Sequence, residues 1–199
     1  MKREEKRKNL KDGLIAAAYR QIEQNGVANL RAREITTEVG CALGTIYTVF
    51  SDLNELIFHA NGRTIEVLSA EMAVKTDNVE GAEQKLVALA IGYQAFARAH
   101  PNLWLSLFEH GMITQADPPQ WHLEQHVAIF NHIADPLAEL FPSLEEKELL
   151  LRARTLFSAV HGVVSMSLQE RFVAVPLLEL ERQLELMIEA TLVGMKELA

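Results

Sequence analysis

The sequence predicts an all-α fold, and three features of its 199 residues point that way. Between glycine and proline breaks, apolar residues recur at steps of three and four, which gathers them on one face of a helix. No segment alternates apolar and polar residues in the two-residue period of a half-buried strand. Two late segments keep heptad-like seams over several turns, as helices that pack on helices do. The expected organisation is a small three-helix unit over residues 1–56 and a larger helical domain over residues 57–199.

The first helix is expected from about Asn9 to Gln24, with Leu14, Ile15, Ala18 and Ile22 buried and Asn25-Gly26 as its stop. Residues Glu34–Leu56 read EITTEVGCALGTIYTVFSDLNEL. Ile35 and Val39 share a face of a short helix, and Gly40 can take the positive φ that ends it and turns the chain. A second short helix over Leu43–Val49 is held to the core by Ile46, with Phe50 at the same spacing. Its other face presents Gly44, Thr45, Tyr47 and Thr48, groups suited to phosphates and base edges. This is the spacing of a helix-turn-helix, which offers one helix to the DNA major groove.

A fourth helix is expected from Asp52, its cap, to about Lys75, along Ile57, Ile65, Leu68 and Met72. Thr76–Gly81 is a break, followed by helices over Ala82–Ala99 and Asn102–Met112 on either side of the His100-Pro101 step. Gly111 and Asp117-Pro118-Pro119 mark a loop; the helix over Gln120–Leu140 carries Pro136, expected to kink or end it. Phe141-Pro142-Ser143 connects onward, with Ser143 and Glu146 in capping-box register. In Glu145–Arg171 the seam is Leu149, Ala153, Leu156, Val160, Val163 and Ser167. In Pro176–Leu198 it is Leu177, Leu180, Leu184, Met187, Thr191, Gly194 and Leu198, with Pro176 in the first turn. Both helices also carry apolar residues off the seam, among them Leu150, Phe157, Val164, Leu178, Ile188 and Leu192. Each can therefore face its own core and a second copy, so a homodimer through 145–171 and 176–198 is expected.

Bulk numbers set the frame. Hydrophobic content of 49% with 23% charged residues is that of a globular chain. The net charge of −8 would by itself argue against nucleic acid, but it is unevenly placed. Residues 1–63 hold ten Lys/Arg against eight Asp/Glu, and six of those bases lie within the first eleven residues. A basic arm on a near-neutral small domain suits a phosphate backbone, and the acidic remainder does not. No run of about 20 apolar residues is present to span a membrane, and no apolar segment follows the charged start as a secretory signal would require. The single cysteine, Cys41, reads as core and is compatible with a reducing cytoplasm.

The block Glu34–Leu56 resembles the DNA-binding domain of TetR-family transcriptional regulators. The residues that carry the resemblance are Ile35, Gly40, Gly44, Thr45, Ile46, Tyr47, Phe50, Glu55 and Leu56, above all Gly-Thr-Ile-Tyr-x-x-Phe. It implies a tyrosine at position 47 on the DNA backbone, dimerisation through the last two helices, and two recognition helices on a pseudo-palindromic operator. With the residues' own chemistry, this gives Arg31, Arg33, Leu43, Gly44, Thr45, Tyr47 and Thr48 as the DNA-contacting set. Three positions depart from the family pattern: Arg31 where helix two usually has a Thr or Ser cap, Ala42 where Ser often stands, and Leu53 where Lys often meets a phosphate.

The resemblance also implies a small-molecule effector in the larger domain, whose binding moves the recognition helices apart from their grooves. Phe96, Trp104, Phe108, Met112, Trp121, Phe130, Phe157 and His161 are the candidate lining, and each also fits plain core packing. His110 and Met166 belong to the same cluster. His122 and His126 share a helical face at a metal-compatible spacing but read as solvent-exposed, so no metal or other cofactor is expected. No catalytic motif is apparent, and no enzyme is expected. The reading is thus a cytoplasmic, ligand-responsive transcriptional repressor. The alternative, favoured by Ala42 and Leu53, is an all-α ligand-binding or scaffolding protein that has lost sequence-specific DNA binding. Effector, operator and regulated genes do not follow from the sequence.

Overall fold

The computed structural model describes residues 2–114 and 118–197, with side chains for 3–109 and 118–197. Asp117 and Leu198, and the side chains of His110 and Met112, lie outside these. Among the described residues the chain forms nine α-helices and no strand: α1 (Lys2–Asn25), α2 (Ala32–Val39), α3 (Ile46–Val49), α4 (Leu53–Thr76), α5 (Ala82–Ala99), α6 (Pro101–Thr114), α7 (Gln120–Leu140), α8 (Glu146–Leu168) and α9 (Leu180–Glu197). It is all-α, as the sequence predicts. The helices gather into two compact units, Met1–Val67 with His100–Gln125, and Leu68–Ala99 with His126–Ala199.

The first unit is built on α1, which packs on α2 and α6. Leu14, Ala18 and Ile22 from α1, Ile35 from α2, Ile46 from α3, Leu56 and Ala60 from α4 and Leu103 from α6 make one core, all almost fully buried. Ile15, expected inside, is only partly buried at its edge. The basic stretch is not a separate arm before a helix that starts at Asn9. It is the first two turns of α1. Lys, Arg and Glu are good helix formers, and Glu4 and Glu5 lie in the first turn, where the helix dipole favours them. Asn61 and Ser106 form a buried polar pair, the Ser106 hydroxyl donating to Asn61 Oδ1 at 2.7 Å and Asn61 Nδ2 donating to the Ser106 carbonyl at 3.0 Å.

In the second unit α5 packs against α8 and α9. The inward stripe of α9 is Leu180, Leu184, Ile188 and Leu192, in strict steps of four. Met187, Thr191 and Gly194 of the expected seam are only half-buried. On α8 the buried residues are Ala153, Leu156, Val160, Val164 and Ser167, so Val164 takes the place expected for Val163. α7 runs through Pro136 to Leu140 without ending.

Three expected boundaries differ. Ser143 does not cap α8; Glu145 occupies that position without a side-chain bond, and Glu146 and Glu148 place negative charge in the first turn instead. The end of α8 comes at Leu168 rather than Arg171. There the N–H of Glu170 donates to Ser167 and that of Arg171 to Met166, with Glu170 at φ 48°. That pairing is a Schellman closure, with a glutamate in the left-handed position. Finally, Pro176 is not in the first turn of α9. Its carbonyl accepts from the Glu179 N–H at 2.9 Å to make a turn, and the helix begins at Leu180.

Candidate functional site

The turn between α2 and α3 is set by backbone bonds around Gly40. Gly40 sits at φ 75° and ψ 37°, its N–H donating to the Thr37 carbonyl, while the Cys41 N–H reaches the Thr36 carbonyl. Two of the orphan carbonyls at the helix end are thereby satisfied, and the chain reverses in one residue. Leu43–Thr45 then forms a single 3₁₀ turn that leads into the four residues of α3. Ala42 precedes this turn and gives no side-chain cap; the Thr45 N–H bonds its carbonyl instead.

Ile46 and Phe50 face the core with Val49 packed against it, which turns Leu43, Gly44, Tyr47 and Thr48 outward and leaves Thr45 half-buried. Tyr47 is 57% exposed and Leu43 40% exposed. Nothing lies within 4 Å of where a Cβ on Gly44 would stand, so a flat backbone could approach there. The Thr48 hydroxyl donates to the Thr45 carbonyl at 2.7 Å, which leaves its oxygen free to accept. Arg33 is exposed. Arg31 is exposed too, but its guanidinium bends back to the carbonyls of Ala28 and Leu30, at 3.4 and 3.2 Å.

Sequence reasoning missed a bond that ties residue 31 to α1, although it does not replace the absent side-chain cap. Gln21 of α1, 6% exposed, accepts the Arg31 N–H through Oε1 at 3.1 Å. A glutamine on the inner face of α1 was the available signal. Arg20 and Glu38 also pair, tying α1 to α2. At the start of α4, Asp52 Oδ1 accepts the Glu55 N–H at 2.8 Å and Glu55 Oε2 accepts the Ser51 N–H at 2.6 Å. The Ser51 backbone bond holds the Glu55 carboxyl below its ordinary pKa. Leu53 packs against the first unit's core, which explains an apolar residue there.

The candidate effector residues fall into separate groups. Trp104, 2% exposed, packs edge-on against Phe108, and Trp121 stacks on His59 with ring centroids 4.4 Å apart; these lie in the first unit. In the second unit Phe157 is edge-on to both Phe130 and Tyr93, and the Tyr93 hydroxyl lies 2.8 Å from His161 Nδ1. Burial pushes the His161 pKa below its ordinary value. Phe96 is buried in α5 of the same unit, and Met166 is exposed. Gln94, wholly buried in α5, has neither amide atom partnered among the described residues. His122 is not solvent-exposed as expected: it is 4% exposed, its ring against Phe58.

A tight glycine turn, a short outward helix and a basic first helix define a helix-turn-helix DNA-binding protein. Residues 86–191 match the family model described as Tetracyclin repressor-like, C-terminal domain. The chain belongs to the TetR family and is a DNA-binding transcriptional regulator of that non-enzymatic family. No curated protein matches it in sequence. Solved structures share its fold. A protein with unknown function from Rhodococcus sp. RHA1 is 19% identical over 93% of this chain and 94% of its own, at a TM-score of 0.74. A TetR transcriptional regulator from the same organism is 15% identical over 96% and 98%, at 0.66. RolR, in complex with the ligand resorcinol, is 17% identical over 96% and 89%, at 0.69. No helix among the described residues is long and apolar enough to cross a membrane.

Proposed function

We propose that this regulator is a cytoplasmic homodimeric repressor that leaves a pseudo-palindromic operator when a small-molecule effector binds. In this reading residues 1–56 bind DNA and residues 57–199 hold the effector and the dimer contact. The observation that carries it is the outward face of the segment 43–48, where Tyr47, Leu43 and Gly44 stand open to solvent beside a Gly40 turn that fixes their direction. Thr45, Thr48 and Arg33 complete the contacting set. Arg31 contributes less than its charge promises, because its guanidinium is engaged by backbone carbonyls.

Dimerisation is supported by apolar residues on the outer faces of the last two helices. On α8 Leu151 and Met166 are exposed, with Gly162 open between them; on α9 Leu186 and Val193 are exposed. Water-facing apolar residues at helical spacing favour a partner surface. An effector is supported by the Tyr93, Phe130, Phe157 and His161 group, which combines aromatic faces with a hydroxyl and a ring nitrogen. The resorcinol bound by RolR fits such an aromatic setting with polar handles. The effector would bind better to a state whose two recognition helices no longer match successive major grooves.

The experiment is a gel shift with a pseudo-palindrome taken from upstream of the protein's own gene or a divergent neighbour. Salt-dependent retardation, poorly competed by random DNA, is the expected result. Equal competition by random DNA would favour a protein that has lost sequence-specific recognition.

A further inference from the structure

A cleft of about 390 Å³ opens in the first unit, lined by Asp12 and Ile15 of α1, His59, Gly62, Arg63 and Glu66 of α4, and Trp121 and Gln125 of α7. We infer that it binds a small planar molecule carrying a cationic, donor-rich group such as an amidinium. The site is distinct from the aromatic group in the second unit, and the inference does not depend on the effector reading above.

The walls supply the shape. The Trp121 and His59 rings stack at 13° between planes, and Ile15 adds an apolar surface, so a flat ring has a flat partner. Gly62 allows this wall to form: a Cβ there would stand 2.6 Å from Gln125 Oε1 and 3.2 Å from Trp121. Burial and nearby Lys11 lower the His59 pKa, so its ring is neutral at pH 7 and does not repel a cation. The volume falls in the lower part of the range of small-molecule pockets, about 300–1,000 Å³.

The polar groups supply the sign. Among the described residues neither Asp12 nor Glu66 makes an ion pair, and Glu66 receives only a long bond of 3.3 Å from Gln125 Nε2. Gln125 Oε1 is buried and meets no donor. The one strong donor on the rim, Arg63, lies over the Tyr19 ring with its guanidinium carbon 4.9 Å from the centroid. Two exposed carboxylates without an ion pair, Asp12 and Glu66, face one guanidinium on the rim, so the lining carries a net negative charge. A ligand that brings positively charged N–H groups satisfies that imbalance, and an anion worsens it.

The test uses the full-length chain and benzamidine as probe, followed by calorimetry and by saturation-transfer NMR. Saturable binding is expected. Benzoate, of the same shape and opposite charge, should bind at least about tenfold more weakly. The Asp12→Asn/Glu66→Gln pair should weaken benzamidine by at least about tenfold, because both carboxylates are exposed and their neutral forms fit the same space. Tyr93→Phe, in the second unit, should leave it unchanged. The inference is overturned if benzamidine shows no saturable binding, if benzoate binds equally well, or if binding responds to Tyr93→Phe and not to the carboxylate pair.

Discussion

Helices α2 and α8 end in the same way, yet one end is written in the sequence and the other is not. Both finish in a Schellman closure followed by a turn toward the next helix. In α2 the left-handed position belongs to Gly40, and in α8 to Glu170. A left-handed residue costs about 1–2 kcal/mol unless it is glycine. The first turn therefore stands on a residue suited to it, and the second is closed by backbone bonds over a strained residue in an exposed segment. The helices that follow differ in the same sense. α3 has four residues, of which Ile46 alone is buried, whereas α9 is apolar on more than one side and its inward face is settled by its neighbours.

The contrast can be broken most forcefully at α9. Leu184→Ala, on the buried stripe, should cost about 3 kcal/mol in denaturant unfolding. If Leu184 tolerates alanine, the inward stripe is not the one that runs in steps of four. The outer face should behave differently. Leu186 and Val193 are 39% and 57% exposed, so Leu186→Glu with Val193→Glu should leave the fold intact and shift light scattering at micromolar concentration from dimer to monomer.

The two closures supply a smaller and sharper pair. Gly40→Ala should cost about 1 kcal/mol, since a Cβ has open space there but a strained φ. Glu170→Gly should be neutral or stabilising by up to about 1 kcal/mol, measured by the same unfolding midpoint. Opposite signs confirm the comparison; equal losses at both sites would remove it.

The smallest effect is a pH dependence. The His161 pKa is depressed by burial below its ordinary 6.5. The unfolded chain therefore takes up the proton first as pH falls, and this site's contribution, complete above 6.5, declines below it toward the folded pKa. Unfolding titrations from pH 7.5 to 5.5 should show a shallower slope for His161→Gln than for the parent.

What the sequence made legible follows the same division. Gly40, Ile46, Phe50 and the cap at Asp52 each follow from short-range geometry, and each lies where the spacing predicts. The basic residues before Asn9 were misplaced as an arm because a charged run without an apolar stripe gives no helical period, although its propensity is helical. Gln21 as the acceptor for Arg31, and the cleft beside Trp121, join residues from different helices and have no local pattern. The ends of α8 and the start of α9 also differ: Ser143 and Pro176 are good local signals, yet Glu145 takes the cap position and Pro176 makes a turn with Glu179.

The central claim is that one exposed face of residues 43–48 reads DNA, and Tyr47→Ala tests it most directly. Fluorescence anisotropy of a labelled pseudo-palindromic fragment should show at least about tenfold weaker binding for the variant, roughly 1.4 kcal/mol, with the thermal midpoint unchanged because the side chain stands in solvent. Unchanged affinity on the same fragment, at the same salt, would contradict the account.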